Sequence, residues 1–258
     1  MFTIGADPEI FVSQKGKFVS AYNLVPGTKK DPFKVDKGAV QVDGLALEFN
    51  IDPAHNYEEF QENLDTVMRT LQEMVPEHTF MEEASVYLDP QYRASLPPES
   101  LEIGCSPSLN AYTEDADETP DGGGDLRAVG GHLHIGGFFD PDEDARVKWN
   151  RSLRLIRLMD KYVGVYSVLW DPDTNRRKIY GAAGSCRLKS FGVEYRTLSN
   201  RWLFDKKITK FIYEQTAKAV EALYRGEDVE SDVYKDIINS SNREHEFFKN
   251  NPVAAMVA

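Results

Sequence analysis

Gly130-Gly131-His132-Leu133-His134-Ile135-Gly136 alternates an imidazole with an aliphatic residue between flanking glycines. Successive side chains on a strand point to opposite faces, so His132 and His134 share one side while Leu133 and Ile135 share the other. Glycines at both ends suit close approach by backbone or ligand. The stretch 130–139 therefore reads as a strand with one face for packing and one for chemistry. The same parity recurs elsewhere. Asp7 and Glu9 point away from Ile10 and Val12. Over 40–49, Glu48 sides with Ala46 and Asn50 against Leu45, Leu47 and Phe49. Over 193–198, Glu194 and Arg196 oppose Val193 and Tyr195.

Each motif has an ordinary reading. Asp7-Pro8-Glu9 is the composition of a turn, an isolated His-x-His pair is often structural, and Glu194-x-Arg196 is commonly a surface ion pair. Their joint occurrence with matching parity points to a site. Carboxylate oxygens with a few imidazoles are the donors that hard divalent cations take. Converging carboxylates without a cation would repel one another.

Between these strands, Asn56 with Glu59 begins a capping-box-like start, and Phe60, Leu64, Val67, Met68, Leu71 and Val75 recur at helical spacing over 57–75. Asp140-Pro141-Asp142-Glu143 supplies a cap, a proline and an acidic first turn for a helix running toward Leu169. A third long helix is expected over 203–223, stopped by Gly226. Further strands are expected at 10–12, 18–22, 84–88 and 101–105, and an acidic, glycine-containing loop at 113–125. Strands interrupted by long helices give an α+β class: a largely antiparallel sheet with helices on one face.

The chain has 258 residues, 30 Lys+Arg against 42 Asp+Glu, and a formal charge of −12. With no persuasive linker, residues 1–258 read as a single domain with a helical C-terminal part from about 203. The 41% hydrophobic content is too rich for intrinsic disorder. No apolar run nears membrane-spanning length, and the start lacks a basic and apolar leader. Two cysteines are too few for a disulfide scaffold or a four-cysteine zinc site. A cytoplasmic location without a membrane partner is expected, and the acidic balance argues against a dedicated nucleic-acid binder.

At Gly5-Ala6-Asp7-Pro8-Glu9, Val42-Asp43-Gly44-Leu45-Ala46-Leu47-Glu48-Phe49-Asn50, Arg127 through Gly136, and Val193-Glu194-Tyr195-Arg196, the sequence resembles the glutamine synthetase-like superfamily. It is most similar to the phage-type COOH–NH2 ligase type 2 family of amidoligases. The resemblance implies a curved antiparallel sheet with long helices on the convex face, and ATP with Mg²⁺ or Mn²⁺ on the concave face. It implies metal ligands at Asp7, Glu9, Glu48, His132 and Glu194, a nucleotide-phosphate contact at His134, and an arginine handling the transferred phosphoryl group at Arg196. Arg127 either does similar work or tethers the acidic loop. Asp43 and Glu48 lie five residues apart, which puts them on opposite faces of one strand unless Gly44 makes a bulge. The ammonia-site and flap residues of glutamine synthetase have no counterpart, so glutamine synthesis itself is not implied.

The implied reaction joins a small-molecule or peptide carboxylate to an amine through an acyl phosphate, in the host cytoplasm if the protein is phage-encoded. The segment 102–110 is a candidate acceptor pocket, and the acidic loop reads first as a disordered stretch, or else as a lid or an attractor for a cationic amine. A P-loop is excluded by the lack of its motif. Two rivals stand beside the ligase: a metal-dependent hydrolase of amides or phosphoesters using the same residues, and a non-catalytic phage accessory protein.

Overall fold

The computed structural model describes residues 2–101, 107–117, 124–140, 142–229 and 232–257. Its strands, in chain order, begin with β1 (Thr3–Ile10), β2 (Val12–Gln14), β3 (Lys17–Val19), β4 (Phe33–Val35), β5 (Gly38–Asp43), β6 (Ala46–Ile51) and β7 (Thr79–Phe80). They continue with β8 (Ser85–Tyr87), β9 (Leu109–Asn110), β10 (Leu126–Ala128), β11 (Gly131–Gly136), β12 (Ser185–Lys189) and β13 (Gly192–Tyr195). Eight of them form one sheet in the order β4-β5-β6-β1-β11-β13-β12-β9. Every neighbouring pair in it is antiparallel. Two small sheets, β3-β2-β7 and β10-β8, flank it.

The helices are α1 (Tyr57–Met74), α2 (Pro90–Ser95), α3 (Pro98–Leu101), α4 (Ala145–Met159), α5 (Val165–Trp170), α6 (Arg176–Ile179), α7 (Lys206–Tyr224) and α8 (Val233–Ser240). On α1, Phe60, Leu64, Val67 and Leu71 are buried, and the helix packs on β5 and β6. α4 packs on β12, β13 and α7. Beneath them lie Leu47, Phe49, Leu133, Ile135, Val193 and Tyr195 in the same apolar cluster. Burying each such side chain contributes roughly 1.5–3 kcal/mol. Because alternate residues on these strands are spent on that contact, the intervening Asp7, Glu9, Glu48, His132, His134 and Glu194 are turned to the other face.

Several sequence expectations shift in detail. Asn56 does cap α1, accepting from Glu59 N at 2.9 Å, but the Glu59 carboxylate accepts in return from His55 N at 2.8 Å rather than from Asn56 N. The second long helix starts at Ala145 under Asp144, which accepts from Arg146 N, rather than near Asp140. Asp140 instead closes a turn through Asp142 N, and Pro141 lies outside the described residues. The strand expected over 40–49 is a hairpin: Asp43 pairs with Ala46 around Gly44-Leu45, with Gly44 at φ +57°. A two-residue turn with glycine first is the connection that matches strand twist. The strand expected at 101–105 falls outside the described residues apart from Leu101, which ends α3, and residues 118–123 of the acidic loop also fall outside them.

Between α4 and α5 the chain makes a wide π turn over Asp160–Gly164. It accommodates the Tyr195 hydroxyl, which donates to Asp160 Oδ1 at 2.5 Å. A Cβ on Gly164 would collide with that hydroxyl, which is why the position is glycine.

Candidate active site

The strand register lines up chemistry from one strand to the next. Gln41 lies opposite Glu48, and Glu48 opposite Glu9, across β5, β6 and β1. Asp7 lies opposite His132 across β1 and β11. His134 lies opposite Glu194, and Glu194 opposite Arg187, across β11, β13 and β12. A cavity of about 310 Å³ opens over this row. Asp7, Glu9, Glu48, His132, His134 and Arg196 all line it, joined by Lys29, Gln41, Asn50, Arg187 and Lys189.

Two groups of possible cation donors converge on this face, each with two members on the cavity wall. Glu9, Asp43 and Glu48 offer carboxylate oxygens within 4.8 Å of one another, and so do Asp7, His134 and Glu194 with their donor atoms. The hairpin explains Asp43. Pairing with Ala46 puts it on the Glu48 side, so the five-residue spacing that separates faces on one strand unites them across a turn. His132 also approaches the second group, its Nδ1 3.4 Å from Asp7 Oδ1 and 3.7 Å from Glu194 Oε1.

Electrostatics differ between the groups. Burial and then the Asp43 charge push Glu9 up to about 7, against a backbone bond in which Gly130 N donates to Glu9 Oε2 at 2.8 Å. Burial and the charges of Glu9 and Asp7 hold Glu48 well above the usual range. Among the described residues, buried Glu48 Oε2 has no hydrogen-bond partner. Crowded carboxylates with an unanswered oxygen fit a hard divalent cation. In the second group, burial alone would raise Asp7, but His134 and His132 hold it well below the carboxylate range. Burial and Asp7 also work against ionising Glu194, yet His132, Arg196 and Lys189 bring it to about 2. Lys189 Nζ stands 2.6 Å from Glu194 Oε2. Burial opposes the charged form of His134, and Asp7 raises it nonetheless. Burial and Arg196 lower His132 to about 4.

Arg196 is 1% exposed. Its Nε donates to Ser108 Oγ at 3.0 Å, its Nη1 contacts Glu194 and its Nη2 donates to the Tyr180 hydroxyl. Gly130 is glycine for a local reason, since a Cβ there would collide with the His132 ring.

Arg127 is not brought to the cavity. It sits on β10 in the small sheet, where Nη1 donates to Gly124 O at 2.6 Å and Leu126 O at 3.0 Å. Of its two sequence readings, tethering the loop is the one these bonds describe. Arg187 and Lys189 were missed, although their i, i+2 spacing on a strand against Cys186 and Leu188 carries the same parity signal. Tyr180 and Arg176 carry no such pattern, because they reach the site from a short helix and its following loop.

A face with two groups of oxygen and nitrogen donors beside a buried guanidinium defines a site chemically suited to divalent cations and anionic substrates. Residues 125–236 match the family described as Phage phiEco32-like COOH.NH2 ligase-type 2. The match takes in His132, His134, Glu194 and Arg196 and leaves Asp7, Glu9, Asp43 and Glu48 outside. No curated protein matches the chain. A bifunctional glutathione synthetase from Pasteurella multocida is similar in fold, with TM-score 0.50 and 13% identity over 95% of this chain and 41% of that one. The chain thus spans about two fifths of that protein's length.

Proposed function

We propose that the protein is an ATP-dependent carboxylate–amine ligase of glutamine synthetase-like architecture, acting in the cytoplasm on a small-molecule or peptide carboxylate and an amine. The family match over 125–236 supports the reaction class. The observation that carries the reading is the pair of donor groups, Glu9 with Asp43 and Glu48, and Asp7 with His134 and Glu194, of which Glu9, Glu48, Asp7 and His134 line the same cavity as Arg196. In this reading the carboxylate takes the γ-phosphoryl group of ATP, and the amine displaces phosphate from the acyl phosphate.

The residues divide the work. Glu9, Asp43 and Glu48 would hold one Mg²⁺ or Mn²⁺, and Asp7, His134 and Glu194 another. When bound, these cations supply charge neutralisation for the phosphates and the acceptor carboxylate. Arg196 presents a planar fork to the transferred group, already held in place by Ser108, Glu194 and Tyr180. Phosphoryl transfer asks a protein mainly for such positioning and charge. Arg187, Lys189 and Lys29 add positive charge at the cavity wall for a polyphosphate.

Carboxylates outnumber imidazoles, which favours Mg²⁺ over the histidine-rich sites of zinc hydrolases. Thermal unfolding with Mg²⁺ and a non-hydrolysable ATP analogue, together and separately, tests the reading. A joint stabilisation exceeding either alone supports it. No response to nucleotide at any Mg²⁺ concentration, with zinc-dependent ester or amide cleavage instead, would overturn it in favour of a hydrolase.

A further inference from the structure

Tyr180 stands between two groups of the site. Its hydroxyl lies 2.5 Å from His132 Nε2 and receives a hydrogen bond from Arg196 Nη2. A guanidinium has donors only, and a hydroxyl has one hydrogen. With Arg196 donating into it, the Tyr180 hydroxyl still has its own hydrogen to give, and His132 Nε2 is placed at 2.5 Å to accept it. An imidazolium would instead place two cationic donors on a single hydroxyl oxygen. The other side of the ring agrees: Nδ1 faces Asp7 Oδ1 at 3.4 Å and Glu194 Oε1 at 3.7 Å, where a bare lone pair would meet two carboxylates and an N–H is welcomed.

We infer that Tyr180 is a positioning residue, whose hydroxyl fixes the proton of His132 on Nδ1 and so aims an N–H at Asp7 and Glu194. Nε2 of His132 is then taken by Tyr180, and its protonated Nδ1 faces Asp7 and Glu194, where Asp7 Oδ1 otherwise lacks a hydrogen-bond partner among the described residues. His132 becomes the outer-shell donor that orients the two carboxylates, and His134, 3.1 Å from Asp7 through Nε2, is the imidazole left for the cation. This inverts the roles implied by the sequence resemblance. It rests on the reading of Asp7 and Glu194 as cation ligands only in that last consequence.

Tyr180 is well fixed for the task. Its ring lies under two guanidinium groups, Arg176 at 4.9 Å and Arg196 at 5.2 Å from the centroid. Fully buried Arg176 donates to Val129 O, Thr197 O and Leu198 O, tying together the chain just before β11 and just after β13. Gly181, at φ +76°, leaves the space that Arg176 fills.

Histidine-selective ¹⁵N NMR on the full chain without metal reads the tautomer directly, with the His132 signals assigned by their loss in His132→Gln. The expected result is an Nδ1–H tautomer in the native protein and loss of that preference in Tyr180→Phe, which keeps the ring and its cation contacts. An Nε2–H tautomer in the native protein, or an unchanged tautomer in Tyr180→Phe, would overturn the inference. If that variant fails to fold, the native spectrum alone decides. A Mn²⁺ titration gives the second arm: Tyr180→Phe weakens binding by about tenfold, and His134→Ala costs more affinity than His132→Gln. The reverse order for the histidines would overturn the exchange of roles. No Mn²⁺ binding by the native protein would sink the cation reading, while the tautomer would still decide the role of Tyr180.

Discussion

Glu9 and Glu48 stand directly opposite each other across β1 and β6, both buried, with the Asp43 carboxylate brought alongside by the hairpin turn at Gly44. Three carboxylates this close, answered among the described residues by Lys29 at 2.9 Å from Asp43, make a metal-free protein that works against its own charge. Glu48→Gln removes one repulsive partner. It is expected to raise the metal-free melting temperature, at roughly 2–4 °C per kcal/mol for a chain of this size. The same variant is expected to lose the stabilisation that Mg²⁺ gives the native protein. Melting curves with and without Mg²⁺ check both halves. A Glu48→Gln protein that is less stable without metal, yet still responds fully to Mg²⁺, contradicts the cluster's role.

Arg196 and Arg127 make a controlled pair. Both are buried arginines, but only Arg196 lines the cavity, gripping Ser108, Glu194 and Tyr180 at once. Lysine keeps the charge and loses the fork. Arg196→Lys is therefore expected to cut nucleotide-dependent phosphate release by roughly 10²-fold. Arg127→Ala removes the tether to Gly124 and Leu126, lowering stability while leaving nucleotide and Mg²⁺ binding near native. Comparing phosphate release and melting temperature for the two variants separates a site residue from a structural one. Loss of nucleotide binding in Arg127→Ala would return that residue to the site.

Gly130 is required by the ring next to it rather than by its own dihedral angles. A methyl group there would collide with the His132 imidazole, while Gly130 N still has to donate to Glu9 Oε2. Gly130→Ala is thus expected to displace His132, disturb Glu9 and lower stability by about 1–3 kcal/mol. Chemical denaturation measures the stability and a Mn²⁺ titration the accompanying loss of cation affinity. Native behaviour in both would mean that the ring and strand can shift freely.

The period-two pattern made the acidic face readable from sequence, because a strand that packs one side on helices must spend its other residues elsewhere. Asp7, Glu9, Glu48, His132, His134 and Arg196 on the cavity wall, with Glu194 beside them, all follow that parity. Asp43 was obscured because a hairpin reverses the parity count, and that reversal is visible only once Gly44-Leu45 is recognised as a turn. Lys189 and Arg187 obeyed the same rule on a strand that sequence reading had not assigned. Tyr180 and Arg176 obey no periodicity. Their positions follow from how the segment after α5 folds back over the ends of β11 and β13, which is tertiary information. The helices were legible in type, while the start of α4 slipped because Asp140 and Asp144 both offer a capping carboxylate.

Behind the sheet, Asp160 lies fully buried in the π turn, and burial pushes its carboxyl up to about 7 despite the hydrogen bond from the Tyr195 hydroxyl. The sign follows from linkage. A carboxyl whose folded value exceeds its unfolded value of 3.8 binds its proton more tightly in the native state. Its contribution to stability is fully present below about pH 4 and is lost as pH rises toward 7, amounting to something on the order of 4 kcal/mol. Asp160→Asn has no proton to lose and still accepts from the Tyr195 hydroxyl through its amide oxygen. The native protein is therefore expected to lose stability from pH 5 to pH 7.5 more steeply than Asp160→Asn, with Mg²⁺ withheld from both so that cation binding does not contribute. Urea denaturation across that range gives the two slopes. Parallel slopes would show that Asp160 is ionised in the folded protein throughout, and that the π turn holds a charge rather than a neutral acid.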